Sequence, residues 1–397
     1  MDLRWSAEEQ AFRAELRAWL SDVLPSVGPK PDPQDWPARR AWDTAWQRTL
    51  FEAGYAGIHW PKEFGGRGAS ATEHLIYVEE TERAKAPYVG TNFVGLLHAG
   101  PTIINEGTDA QRARYLAPIL RGDEVWAQGF SEPDAGSDLA SLRTRAVRDG
   151  DHFVVTGRKI WTSHATVADH AELLVRTDAD APKHKGISWL ILPMDAEGIE
   201  IRPLRSVMDT DEFSELYLDE VRVPVENLVG AENDGWRVTM TTLSFERGSA
   251  FIADVITTGV LVDQLSEVAR KVTRRGATAW DDRGLRNEIG HLKAELEGLW
   301  AMCLRNVSEA NRTGLVGVGG SVFKLRYTEA RQKLGELTAR VIDRAALSMH
   351  DVAGRPTGFL VEDRLHSLSM TIAAGTSQIQ RTILAERALG LPKDKRV

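Results

Sequence analysis

Four short stretches carry side chains whose types and spacing suit chemistry on a large polar ligand. Residues 128–141 read Gln-Gly-Phe-Ser-Glu-Pro-Asp-Ala-Gly-Ser-Asp-Leu-Ala-Ser. Gly136 and Ser137 sit there in a polar turn behind an apolar lead-in, Val125 and Trp126. Such a turn presents backbone N–H groups and a short hydroxyl with no Cβ in the way. Further along, Arg158-Lys159-Ile160-Trp161-Thr162-Ser163 is a β-type run with an indole flanked by hydroxyls. Leu243-Ser244-Phe245-Glu246-Arg247-Gly248 sets a carboxylate beside a guanidinium in a helical stretch, which on its own reads as a surface charge pair. Near the C-terminus, Ala374-Gly375-Thr376-Ser377-Gln378-Ile379-Gln380-Arg381 is a polar loop that feeds a last helix.

The first two stretches, in this order, resemble the acyl-CoA dehydrogenase family of flavoproteins. The first is similar to that family's Ser-Glu-Pro-x-Ala-Gly-Ser-Asp signature and the second to its Lys-x-Trp-Thr-Ser segment. The fourth stretch resembles its Glu-Gly-Thr-x-x-Ile-Gln segment where it reads Ala374 to Gln380. The resemblance implies α,β-dehydrogenation of an acyl-CoA thioester, with the redox step carried by FAD. It assigns Phe130 and Ser131 to the isoalloxazine edge, and Gly136 and Ser137 to the flavin pyrophosphate, with Ser137 also near the pantetheine arm of the substrate. Trp161 is expected against one ring face, with Ser163 bonding the ring or its phosphates. Thr376 and Gln378 are expected at the diphosphate and Gly375 at the substrate. No metal site is expected.

The family's usual catalytic Glu is absent from the C-terminal segment, where Ala374 stands. A subset of the family carries its Glu on the first helix of the C-terminal bundle, and Glu246 occupies the matching place. Glu246 is therefore expected to be the general base, with Arg247 facing the CoA portion.

Bulk properties frame these assignments. A chain of 397 residues is too long for one compact core, so two or three domains are expected. A net charge of −8 with no Lys/Arg block argues against nucleic acid and anionic membranes as partners. The single cysteine, Cys303, cannot form an internal disulfide and fits a buried apolar position in a cytoplasmic protein. No run of about eighteen apolar residues suggests a membrane span.

Three segments must position the chemistry. Residues 1–122 read helical, opened by a Ser6–Glu9 capping box and a Phe12, Leu16, Trp19, Leu20 face. Residues 123–232 change period, with strands expected over 151–157, 171–176, 187–193 and 215–224. Residues 233–397 return to helices, with breaks near 275–282, 314–320 and 354–358. The expected fold is mainly α with a central β-barrel: an N-terminal α-helical domain, a middle β-barrel domain and a C-terminal four-helix bundle.

Two family motifs are degraded. Where Arg-x-x-Phe-Gly is usual, residues 274–282 read Arg-Arg-Gly-Ala-Thr-Ala-Trp-Asp-Asp; where Gln-x-x-Gly-Gly is usual, residues 350–356 read His-Asp-Val-Ala-Gly-Arg-Pro. In the family both reach across a subunit interface to the neighbour's FAD. The chain therefore resembles the catalytic chain of steroid-side-chain α2β2 enzymes, with a homologous partner; a homo-oligomer is the alternative. The acyl group is expected to be bulky, branched or steroid-like, and the electron acceptor an electron-transferring flavoprotein. Competing readings are a flavin oxidase or monooxygenase of a small molecule, and a non-catalytic subunit.

Overall fold

The computed structural model describes residues 5–246, 250–274, 276–313, 319–352 and 357–393. Arg247 and most of the expected break at 314–320 lie outside them, as do residues 353–356 of the degraded second motif. Helices α1 (Ala7–Val23), α2 (Trp36–Glu52), α3 (Ala71–Arg83), α4 (Gly100–Glu106) and α5 (Asp109–Arg121) come first. Strands β1 (Trp126–Gly129), β2 (Arg145–Asp149), β3 (His152–Ser163), β4 (His170–Arg176), β5 (Ile187–Pro193), β6 (Ile199–Leu204), β7 (Phe213–Pro224) and β8 (Leu228–Val229) follow. Then come α6 (Gly235–Glu246), α7 (Ala250–Lys271), the short pair β9 (Thr273–Arg274) and β10 (Ala277–Thr278), α8 (Arg283–Thr313), α9 (Gly319–Ile342), α10 (Gly358–Met370) and α11 (Ser377–Ile383).

Local chemistry sets many of these boundaries. The Ser6–Glu9 box opens α1, with Ser6 N donating to Glu9 Oε2 at 2.6 Å and Glu9 N to Ser6 Oγ at 3.1 Å. Phe12, Leu16 and Leu20 are buried, while Trp19 is only half-buried. Thr108 and Gln111 cap α5 reciprocally, and Gly122 closes it in the left-handed conformation.

The chain divides into two compact units, residues 1–21, 70–85 and 247–397 in one, and residues 22–69 and 86–246 in the other. In the first, α7, α8 and α9 pack on one another, α10 packs on α9, and α3 packs on α7 and α8. Its core includes Val262, Leu265, Leu292, Leu334 and Val341 around Leu75 of α3, with Cys303 buried among them. Burial pushes the Cys303 thiol up to about 12, which leaves it inert. Arg331 of α9 pairs with Asp363 of α10 and donates to Thr258 Oγ1 of α7 at 2.9 Å.

In the second unit α5 packs on α2 and α4, α4 packs on α6, and α6 packs on β5 of an eight-stranded sheet of order β6-β7-β3-β2-β4-β5-β8, with β1 pairing β4. The β1–β4 ladder and the single β2–β4 pair are parallel, and the other ladders are antiparallel. The expected barrel is not formed: the sheet is open and mixed, ending on β6 and the two-residue β8. Short alternating strands suit either form, because closure depends on shear and register, which the alternation does not encode. Phe153, Val155, Leu173, Leu190, Leu216 and Val221 fill its core.

One buried carboxyl gives a pH test of the helical unit. Burial pushes Asp254 of α7 up to about 6, against the opposing pull of Arg331. The folded state therefore keeps a proton that the unfolded chain has already lost, and above about pH 6 the charged form costs stability. Asp254→Asn is expected to raise the melting temperature by a few degrees at pH 8, a gain that fades as pH falls below 6. Melting curves across that range check this, and a pH-independent effect would sink it.

Candidate functional site

The signature loop is fixed to the sheet from beneath. Its Glu132 lies 8% exposed and accepts hydrogen bonds from Arg143 N at 2.7 Å and Thr144 N at 2.8 Å. Lys159 of β3, 0% exposed, donates to Glu132 Oε1 at 2.9 Å and to the Phe130 carbonyl at 3.1 Å. Ile160 N donates to Ser131 O at 2.9 Å. Burial lowers Lys159 to about 8, opposed by the charge of Glu132. Burial pushes Glu132 up, but Lys159 and the donors around it overcome that and hold it below the usual carboxylate range. The loop's far end is tied by Lys183 Nζ to Asp138, at 2.8 and 2.9 Å. Arg176 of β4 donates to Ala140 O at 2.6 Å.

Above these ties the loop presents its small residues. Phe130 is buried, Ser131 half-buried, and Gly136 and Ser137 exposed. A Cβ built on Gly136 meets no atom within 4 Å, so the space over this backbone is open to an approaching ligand. Trp161 is 59% exposed and has a left-handed φ of 62° at a register shift between Lys159 and Thr162. A bulky residue with positive φ is strained and persists where the surroundings over-determine it. Its indole meets Phe213 edge-on, with ring centroids 6.0 Å apart. Ser163, half-buried, pairs with Phe213 across the ladder. An exposed flat ring, a nearby open backbone and short hydroxyls fit a planar aromatic cofactor with a phosphate tail.

The other assigned residues fall on other elements. Glu246 is the last residue of α6. That helix is tied to α4 by Thr242 Oγ1 and Thr102 Oγ1 at 2.8 Å, and by Arg237 Nη1 to Glu106 at 2.7 Å. In the helical unit, Ala374 and Gly375 have φ of 52° and 85°. Lys324 Nζ donates to Gly375 O at 2.6 Å, and Gln380 Nε2 to Ala374 O at 3.1 Å. Thr376 caps α11 through Ile379 N at 3.1 Å, and Gln378 is exposed. The sheet thus brings Phe130, Ser131, Trp161 and Ser163 together, while Gly375, Thr376 and Gln378 lie in the helical unit. Sequence reasoning missed Glu132 and Lys159 as a pair. The signal was present, since Lys159 shares the alternation of Phe153 and Val155 and must point inward.

Family profiles cover most of the chain: acyl-CoA dehydrogenase N-terminal domain over residues 6–123, middle domain over 127–221 and C-terminal domain over 233–389. Acyl-CoA dehydrogenase IpdE1 of Mycobacterium tuberculosis is 36% identical over 97% of this chain and 98% of its own length. Among solved structures, the Tcur3481-Tcur3483 steroid ACAD matches at a TM-score of 0.85 and 34% identity, covering 99% of this chain and 100% of that one. The ChsE4-ChsE5 complex from Mycobacterium tuberculosis matches at a TM-score of 0.83 and 32% identity, covering 99% and 100%. The chain belongs to the acyl-CoA dehydrogenase family, oxidoreductases that work with a flavin. Among the described residues, no helix is long and apolar enough to cross a membrane.

If Trp161 serves a ligand rather than the core, Trp161→Ala leaves the melting temperature of the flavin-free chain nearly unchanged. It is expected to weaken flavin binding about tenfold, the scale of a lost aromatic contact. Calorimetric melting and flavin titration check the two halves, and a large loss of apoprotein stability would make the indole a structural residue.

Proposed function

We propose that the chain is the catalytic subunit of an FAD-dependent acyl-CoA dehydrogenase acting on a bulky, branched or steroid side-chain acyl thioester. The observation that carries the assignment of the base is Ala374. The segment keeps its backbone ties to Lys324 and Gln380 but holds no carboxylate at that position. Glu246, at the end of the anchored helix α6, then takes the α-proton of the thioester. Bound FAD would accept the β-hydrogen as hydride.

The chain's own residues divide the remaining work. Phe130 and Ser131 hold the edge of the ring, Trp161 covers one face, and Ser163 bonds the ring or its phosphates. Gly136 and Ser137 take the pyrophosphate, Ser137 also lying by the pantetheine arm. Thr376 and Gln378 serve the diphosphate, Gly375 the thioester and Arg247 the CoA portion. Residues 1–122, 123–232 and 233–397 are the domains that supply these parts.

The steroid-like substrate is supported by the names of similar proteins, the Tcur3481-Tcur3483 steroid ACAD among them. The partner is supported by the ChsE4-ChsE5 complex, a solved relative made of two named chains. It is supported too by the absence of Phe-Gly after Arg274 and Arg275 and of the Gln and the Gly pair at 350–356. A homologous chain would lend those groups in an α2β2 assembly, with an electron-transferring flavoprotein taking the electrons in the cytoplasm.

Two outcomes test this. Glu246→Gln is expected to keep its FAD and lower turnover by about two to four orders of magnitude; undiminished turnover would move the base elsewhere. Expressed alone, the chain is expected to hold far less than one flavin per chain, rising when a homologous partner is co-expressed. A fully flavin-loaded homo-oligomer by native mass would remove the partner.

A further inference from the structure

Lys159 and Glu132 take no part in the chemistry above, yet they are the most deeply placed charged pair beneath the signature loop. Both lie in the sheet unit, Lys159 on β3 and Glu132 in the loop. The lysine ammonium reaches two acceptors, a carboxylate oxygen at 2.9 Å and the Phe130 carbonyl at 3.1 Å. The carboxylate is also held by two backbone amides of the segment leaving the loop, Arg143 N and Thr144 N. One ion pair therefore joins the start of the loop, its exit and the strand carrying Trp161. Immediately beyond Lys159 the chain donates Ile160 N to Ser131 O and then turns through the left-handed residue Trp161.

A buried ion pair is a poor source of net stability, since desolvation offsets most of its attraction. Its better-attested use is to fix one arrangement among several. The arrangement fixed here is the spacing between the 130–131 peptide groups and the indole.

We infer that the Lys159–Glu132 pair is the positioning device of the flavin site, holding residues 130–132 and Trp161 as one rigid unit. The inference rests on the reading that these residues face the flavin. It predicts that an uncharged pair of similar shape restores stability without restoring the register of the loop. Lys159 donates to the Phe130 carbonyl, and a methionine in its place cannot.

The experiment compares the wild-type chain with Lys159→Met, Glu132→Gln and the double variant K159M/E132Q, each with any partner chain it requires. The single K159M variant leaves a buried carboxylate without its counter-charge and is expected to lose stability. The double variant is expected to regain most of the melting temperature. FAD affinity in the double variant is expected to stay at least tenfold weaker than wild type. In the flavin-free protein, the Ile160 amide is expected to exchange hydrogen at least tenfold faster, while the core of β4 and β5 keeps its protection. Wild-type flavin affinity and wild-type Ile160 exchange in a stable double variant would overturn the inference and leave the pair a structural contact. Should the wild-type chain bind no FAD even with a homologous partner, the functional reading falls by itself, and the exchange of Ile160 still decides whether the pair holds the loop.

Discussion

The long antiparallel ladder of β3 with β7 is the constraint on which the candidate site depends. Both strands run twelve residues, and their pairing slips twice, between Val155 and Gly157 and between Lys159 and Thr162. Side chains alternate faces along a strand, so each irregularity changes which residues look inward. The second slip falls on the segment that matters. Lys159 points into the protein ahead of it, Trp161 stands out to solvent within it, and Thr162 is buried again after it. Without the bulge, strict alternation would put Lys159 and Trp161 on the same side. An indole on the surface over a buried ammonium is therefore a consequence of register and follows from neither residue alone.

In both units buried charge joins separate elements. In the helical unit Arg331 binds Asp363 and Thr258, linking α9 to α10 and α7. In the sheet unit Lys159 and Glu132 link strand to loop. Removing one partner of such a pair typically costs about 3–5 kcal/mol, because the survivor is stranded away from water. Apolar packing in either unit would tolerate some sliding of one element on another. Directional bonds to a fork or a carboxylate do not, which is why a site needing defined spacing gains from them.

Much of this was legible in the sequence, for reasons that differ by element. The capping box of Ser6 and Glu9 marked the start of α1 because it satisfies specific orphan amides. Strands β5 and β7 were readable from β-branched and apolar runs ended by proline. Strand β2 was not, since it shows one buried residue in five; β6 was passed over although Ile199 and Ile201 alternate with Glu200 and Arg202 and pack against the core. Closure of the sheet was overestimated because strand pattern does not specify shear. The small residues of the signature loop were visible, and so was the odd indole. Alternation shows that Lys159 points inward, but not that it meets Glu132, which lies far from it in sequence.

The same device recurs at the other signature segment. Lys324, 1% exposed, donates to the Gly375 carbonyl, as Lys159 does to Phe130. Lys159 also holds the Glu132 side chain of its loop, whereas the bond from Lys324 to the 374–376 segment goes to a backbone carbonyl. That distinction bears on what the 374–376 backbone needs from the side chain at 374. A segment held through its side chains would lose its shape when the acid at 374 is replaced by alanine. Held through carbonyls, with left-handed φ at Ala374 and Gly375, it keeps its shape and its Thr376 cap without the acid. The backbone conformation of this segment is thereby separable from the side chain at 374, so alanine there leaves the scaffold intact.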